Sequence, residues 1–270
     1  MQLRHRVALN GVELDELDDR IIIQSIQTAS GQTSMTGISL YGRDGQRLTN
    51  VQRDTIDVEI GFGLLIRKTD MAARAELLET VNTWAAAASK ENGGAWLTVN
   101  YKENRRIFVV LADPAEEGDL KDWTNTFRIT FRAFGVPYWQ EAQGKTTMLR
   151  IGTNQTATIV VSGSVRTVAD VELKNESGAN ISTVTVRAGS SVMVFDSLGM
   201  GASETLVIDH DGSGMLSIRI RNSLGQYRSA MDKRTGESSD DLYISPGEQT
   251  IGFTSQRGCS MIAVARGRFL

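Results

Sequence analysis

The sequence predicts a mainly-β protein in two parts: an N-terminal β-sheet domain carrying one amphipathic helix, then an antiparallel β-sandwich. Three observations predict it. Residues 121–140, KDWTNTFRITFRAFGVPYWQ, hold the longest clean alternation in the chain. Trp123, Phe127, Ile129, Phe131 and Ala133 share one face and Thr124, Thr126, Arg128, Thr130 and Arg132 the other, the period of a strand with one buried and one wet side. Only one stretch, about residues 70–89, has convincing helical spacing. After Trp139 the chain breaks into short β-rich runs separated by Gly, Asn, Asp and Ser, the pattern of a sandwich or barrel.

The organising strand stops at Gly135, and Pro137 cannot donate a ladder hydrogen bond. Tyr138 and Trp139 follow where a plain loop would be polar. Pro137, Tyr138 and Trp139 are therefore expected to anchor a domain junction, with domains at 1–140 and 141–270. A chain of 270 residues is long for one all-β domain and comfortable for two.

In chain order, residues 2–9 and 20–27 are expected as strands, with Asn10-Gly11 as a hairpin signal. The acidic run Glu13, Asp15, Glu16, Asp18, Asp19 is expected as a solvated turn. A strand pair brackets Tyr41–Arg47, whose Asp44-Gly45 turn predicts an exposed arm or long hairpin. Residues 55–67 alternate Ile56, Val58, Ile60 and Phe62 on one face, with Gly61 and Gly63 opposite, where a neighbour can approach closely. In the helix, Asp70 is the expected N-cap, and Met71, Ala75, Leu78, Val81, Ala85 and Ala88 are the expected apolar stripe. Such a helix normally covers one face of a sheet. Strands follow at 96–101 and 106–111. In the second half, Gly152 is expected as a turn, and 249–254 and 259–266 are expected as separate strands.

Composition excludes several classes. Charge is balanced, 29 Lys and Arg against 32 Asp and Glu, without the basic excess of a sequence-independent DNA binder. The single cysteine, Cys259, permits no internal disulfide. No apolar run approaches the ~20 residues that span a bilayer, and the N-terminus lacks signal-peptide form, so a soluble protein folded in a reducing cytoplasm is expected. Asp209-His210-Asp211-Gly212-Ser213-Gly214 opens like a calcium loop, but Ile220 stands where an acidic ligand is needed, and a β-turn is the better reading. Cys259 lies in no nucleophile motif and is expected as a half-buried strand residue. Asp240-Asp241 is expected to be exposed. No motif for catalysis, metal or cofactor binding is present. The wet face of Thr124, Thr126, Arg128, Thr130 and Arg132 is either plain solvent surface or the lining of a channel or subunit contact.

Three segments together carry a resemblance. The strand ending T-F-R-A-F-G-V-P-Y-W closes the first half. Gly201-Ala-Ser-Glu-Thr-Leu-Val-Ile-Asp209 resembles a G-E-x-L-x-I-D strand. Ser239–Phe253 follows S…L-x-L-x-P-G-x-N-x-I-x-F, with Gln249 at the Asn position. In this order they resemble the distal tail protein (Dit-like) family of long-tailed, non-contractile bacteriophages. The resemblance implies a structural virion protein, not an enzyme, without cofactor. Its N-terminal domain would form a hexameric ring joining the tail tube to the hub and host-adhesion device, around a channel through which DNA passes. Its C-terminal domain would be a galectin-like sandwich. Implied partners are further copies of the chain, the tail tube protein, the tail hub or tail-associated protein and receptor-binding proteins, with no membrane. The implied location is the tail tip or baseplate of the virion, after assembly in the host bacterial cytoplasm. The alternative is a carbohydrate-binding module for host cell-wall sugars, which the lack of any Trp after Trp139 disfavours.

Overall fold

The computed structural model describes residues 5–29, 33–39, 46–67, 69–116 and 126–270. The expectations for residues 2–4, the 41–45 turn, Trp123 and Thr124 lie outside these residues. The fold is mainly β, as expected, and divides into two compact units, Met1–Trp139 and Gln140–Leu270. No helix among the described residues is long and apolar enough to cross a membrane.

Unit 1 contains β1 (Val7–Leu9), β2 (Val12–Glu13), β3 (Ile21–Thr28), β4 (Thr33–Ser39), β5 (Gln46–Arg53), β6 (Ile56–Leu64), helix α1 (Met71–Ala85), β7 (Ala95–Val99), β8 (Arg105–Asp113) and β9 (Thr126–Ala133). The main sheet is antiparallel, in the order β2-β1-β7-β8-β9-β6-β3. The β4–β5 hairpin forms a separate two-stranded sheet, as expected for an arm. Asn10 and Gly11 both have positive φ, 49° and 88°, and join β1 to β2 with Leu9 opposite Val12. That geometry is the two-residue turn whose twist suits a hairpin. The hairpin partner is thus the two-residue β2, not the strand at 21–28. The acidic segment after it folds into a single 3-10 turn, Leu14–Glu16, followed by the Asp18–Arg20 ion pair at 2.7 Å. Leu14 is fully buried, so this turn packs on the core and is not simply solvated.

Helix α1 begins where Asp70 accepts a hydrogen bond from the Ala73 N–H at 3.1 Å. The cap satisfies one of the donors that every helix start leaves open. Its buried face is Arg74, Leu77, Leu78, Val81, Trp84 and Ala85, while Met71 and Ala75 are exposed. The expected stripe is therefore rotated at its N-terminal end. The rotation places the large Leu77 and Trp84 in the core, where they bury more apolar area than Met71 and Ala75 would. Trp84 meets Phe131 edge-on, with centroids 5.9 Å apart, and its Nε1 donates to the Val12 carbonyl at 2.9 Å. The Arg74 guanidinium lies 5.0 Å from the Phe127 ring. The helix thus covers the apolar face of β9 and pins the β1–β2 hairpin.

Beyond β10 (Trp139–Glu141), which crosses the boundary between the units, come β11 (Lys145–Val161), β12 (Thr167–Asn175), β13 (Val184–Ala188), β14 (Ser191–Phe195), β15 (Thr205–His210), β16 (Leu216–Arg221), β17 (Tyr227–Ser229), β18 (Tyr243–Ile244), β19 (Gly247–Ala265) and β20 (Arg268–Phe269). All of the ladders formed by β11 to β19 are antiparallel. The long β19 pairs with β11 along one edge. Its other edge is shared: Ile251–Ser255 pair with β13 and Cys259–Ala265 with β12. Strand β19 therefore belongs to two layers and turns the corner between them, the device by which a strand switches sheets in a sandwich. The corner is marked by register shifts between Leu149, Gly152 and Asn154 on β11. Gly152 is thus a bulge inside one strand rather than a turn between two, and residues 255–258 lie inside β19. Each half keeps the same partner on both sides of the irregularity, which a chain reversal would forbid. Valines, leucines and isoleucines of β12, β15 and β16 share one core with Val184, Val186, Met193 and Phe195 of β13 and β14.

Candidate interface on the N-terminal sheet

The site begins with the register of β6 against β9. Ile56, Val58, Ile60 and Phe62 stand opposite Ala133, Phe131, Ile129 and Phe127, and all eight are buried. The intervening residues form the other face: Asp57 opposite Arg132, Glu59 opposite Thr130, Gly61 opposite Arg128 and Gly63 opposite Thr126. Thr126 and Arg128 are exposed, and Thr130 and Arg132 half-buried.

The arginines are not free. The Arg132 guanidinium grips Asp57 with two bonds, Nε to Oδ1 at 2.6 Å and Nη2 to Oδ2 at 2.7 Å. Its hydrogen bonds hold the Asp57 carboxyl below the usual carboxylate range. Arg128 reaches diagonally to Glu59, Nε to Oε1 at 3.0 Å. The Arg132 guanidinium also lies 5.9 Å from the ring of Phe134, which is exposed. Two cations and two anions cancel on this face. A charge-matched surface with an adjoining exposed aromatic can lie against a protein neighbour without stranding a charge, and it offers no unmatched cation to hold phosphate.

The structure brings Thr126, Arg128, Thr130 and Arg132 onto one surface. Sequence reasoning missed their carboxylate partners. The signal was present: Asp57 and Glu59 are spaced i, i+2 on one strand, matching Arg128 and Arg132 on another. Only the register makes them a pair.

The close approach expected at the glycines occurs at Gly61. A Cβ placed there would sit 2.5 Å from Ser25 Oγ and 3.8 Å from Ser25 Cβ. We expect Gly61→Ala to destabilise unit 1 by about 1–3 kcal/mol through overpacking. Ser25→Ala should recover most of that loss in the double variant, as read by chemical denaturation. Additive losses would count against the contact.

Pro137, Tyr138 and Trp139 close unit 1. The Tyr138 N–H donates to the Val136 carbonyl at 2.8 Å, around Pro137. The Arg53 guanidinium lies 5.4 Å from the Tyr138 ring, and the Lys102 ammonium 4.7 Å from the Trp139 ring. Trp139 is 1% exposed. Burial, with Arg105 nearby, lowers the Lys102 pKa. These two cations over two rings hold the segment in place.

Unit 2 contains a polar cluster that sequence reasoning did not find. The His210 ring lies between two carboxylates, Nδ1 to Asp170 Oδ1 at 2.8 Å and Nε2 to Asp241 at 2.9 Å. Arg266 Nη1 binds the other oxygen of Asp170 at 2.6 Å. The His210 side chain is 6% exposed. Burial alone would lower its pKa, but the hydrogen bonds to Asp170 and Asp241 overrule burial and raise it to about 9. The four groups therefore form two neutralised pairs. The expectation that Asp240 and Asp241 are both exposed is corrected for Asp241, which is buried. The ring of His210 draws it inward, and its Oδ1 also accepts the Leu242 N–H at 2.6 Å. Asp211, next in sequence, serves its own turn by accepting from Ser213 Oγ and the Met215 N–H at 2.6 and 2.9 Å. Cys259 is fully buried rather than half-buried, and burial pushes its thiol pKa up, away from nucleophilic reactivity.

Solved structures of phage proteins are similar to this fold. One such structure is the Dit protein of phage SPP1, described as a paradigm of the hub adsorption apparatus in phages that infect Gram-positive bacteria. It matches with a TM-score of 0.67 and 14% identity, over 98% of this chain and 99% of that one. A chain of the phage p2 baseplate in its activated conformation with strontium matches with a TM-score of 0.50 and 8% identity, over 96% and 97%. At such identities the likeness is one of fold. No family model matches the chain, and no curated protein sequence does.

Proposed function

We propose that this chain is a structural protein of a phage tail tip or baseplate. The observation that carries the proposal is the fold likeness to SPP1 Dit over both whole chains. In this reading unit 1 is the ring-forming domain. Six copies close around a channel for DNA and join the tail tube above to the hub and host-adhesion device below. Unit 2 is a galectin-like domain that carries or contacts receptor-binding proteins. The chain acts without catalysis, in the virion, after assembly in the host cytoplasm. Pro137, Tyr138 and Trp139 anchor the junction. The face of Thr126, Arg128, Thr130 and Arg132 lines the lumen or a subunit contact. The matched charges of its described residues suit either place, because neither a neighbour nor passing DNA meets an unpaired charge.

Light scattering and negative-stain imaging of the purified chain test this reading. The expected result is closed rings with a central hole, each ring having six times the 29.5 kDa chain mass. A monomer that persists in the presence of the cognate tube and hub proteins would sink it. Arg128→Glu adds a second readout. It places two carboxylates together, and loss of the ring assigns the face to the subunit contact, whereas an intact ring argues against that contact.

A further inference from the structure

The open edges of unit 2 are treated unequally. The outer edge of β14 is fully occupied: the Val192 and Val194 N–H groups donate to Ser239 Oγ and Ser238 Oγ at 3.0 and 2.9 Å. The carbonyls of the same two residues accept from the Ser239 and Thr235 N–H groups at 2.7 and 2.9 Å. Strand β17 is only three residues long. Both are ordinary ways of blunting an edge. Strand β11 is different. It runs for 17 residues, and β19 is its one ladder partner among the described residues. Beyond its bulge the register is unbroken from Asn154 to Val161. That segment, Asn-Gln-Thr-Ala-Thr-Ile-Val-Val, contains no proline, and no charge occurs between Arg150 and Arg166. It is rich in β-branched residues, and Asn154, Thr156, Thr158 and Val160 present exposed side chains. None of the usual defences against strand addition is present.

We propose that Asn154–Val161 of β11 is a self-association edge, which pairs antiparallel with the same segment of a second copy of this chain. The occupant follows from the edge's own chemistry. In an antiparallel register centred on Ala157, Thr156 faces Thr158 and Asn154 faces Val160, so threonine and β-branched pairs support the ladder. A strand that guards itself with charge repels its own image; this one presents nothing to repel. The contact is isologous. It uses unit 2 alone and stands whether or not unit 1 closes into a ring.

The test is the mass of the full chain in solution, by light scattering, for two exposed-position variants, Thr156→Lys/Thr158→Lys and Thr156→Glu/Thr158→Glu. Each should halve the mass of the wild-type assembly, because like charges then meet across the two-fold axis. An equimolar mixture of the two should restore it, because the charges become complementary. An unchanged mass in both variants overturns the proposal, and so does a halved mass that the mixture fails to restore. The factor of two separates this outcome from the ring: if no ring forms, the halving is from two copies to one, and if the edge does not pair, the ring mass persists in every variant.

Discussion

Phe131→Ala is expected to lower the stability of unit 1 by about 3–5 kcal/mol, the usual cost of emptying a buried aromatic site. Phe131 is fully buried at the centre of β9. It stands opposite Val58 and receives the edge of Trp84 from the helix. Its loss therefore removes at once the helix-to-sheet contact and a cross-strand contact. All four tryptophans, Trp84, Trp96, Trp123 and Trp139, lie in unit 1. Tryptophan fluorescence consequently follows that unit alone. The fluorescence midpoint in urea should fall steeply, while the part of the far-ultraviolet circular dichroism signal that belongs to unit 2 should hold its own midpoint. Equal shifts in both probes would show that the two units unfold as one.

Asp241→Asn should cost unit 2 about 2–4 kcal/mol at pH 7, as removal of one partner leaves a buried charge uncompensated. The native cluster balances the His210 and Arg266 cations against Asp170 and Asp241. Without Asp241 the imidazolium shares Asp170 with Arg266. The ring can then escape by losing its proton, which limits the penalty. The same cluster predicts a pH dependence of defined sign. The folded pKa of His210, about 9, lies above its ordinary value of about 6.5. Its contribution is therefore fully present below pH ~6.5 and is lost as pH rises through about 9. Urea unfolding of the wild type, followed by circular dichroism at pH 6, 7.5 and 9, should show unit 2 weakening across that interval. In Asp241→Asn the slope should flatten. An unchanged slope would remove His210 as the titrating group.

Much of the fold was legible because it depends on local periodicity. The alternation around Phe127, Ile129 and Phe131 announces a strand with one apolar face, and that face is where the helix lies. Asp70 announces the helix start, and Asn10-Gly11 announces a hairpin. What failed were choices between near-equal local options. Met71 and Ala75 fit a helical stripe as well as Arg74 and Leu77 do, and only the sheet beneath decides which face is buried. Gly152 permits a turn or a bulge alike, and pairing with β19 on both sides selects the bulge.

The sequence by itself determined the mainly-β class, the single helix, the charge balance and the three segments that resemble distal tail proteins. These follow from residue type and spacing, which act within one strand or one turn. Only the tertiary structure decided that Arg132 meets Asp57, that His210 sits between Asp170 and Asp241, and that β11 has β19 as its one ladder partner among the described residues while the outer edge of β14 is occupied. Each of these joins residues dozens of positions apart. Their distance is set by strand register and layer packing, and neither is encoded in the spacing of the residues concerned.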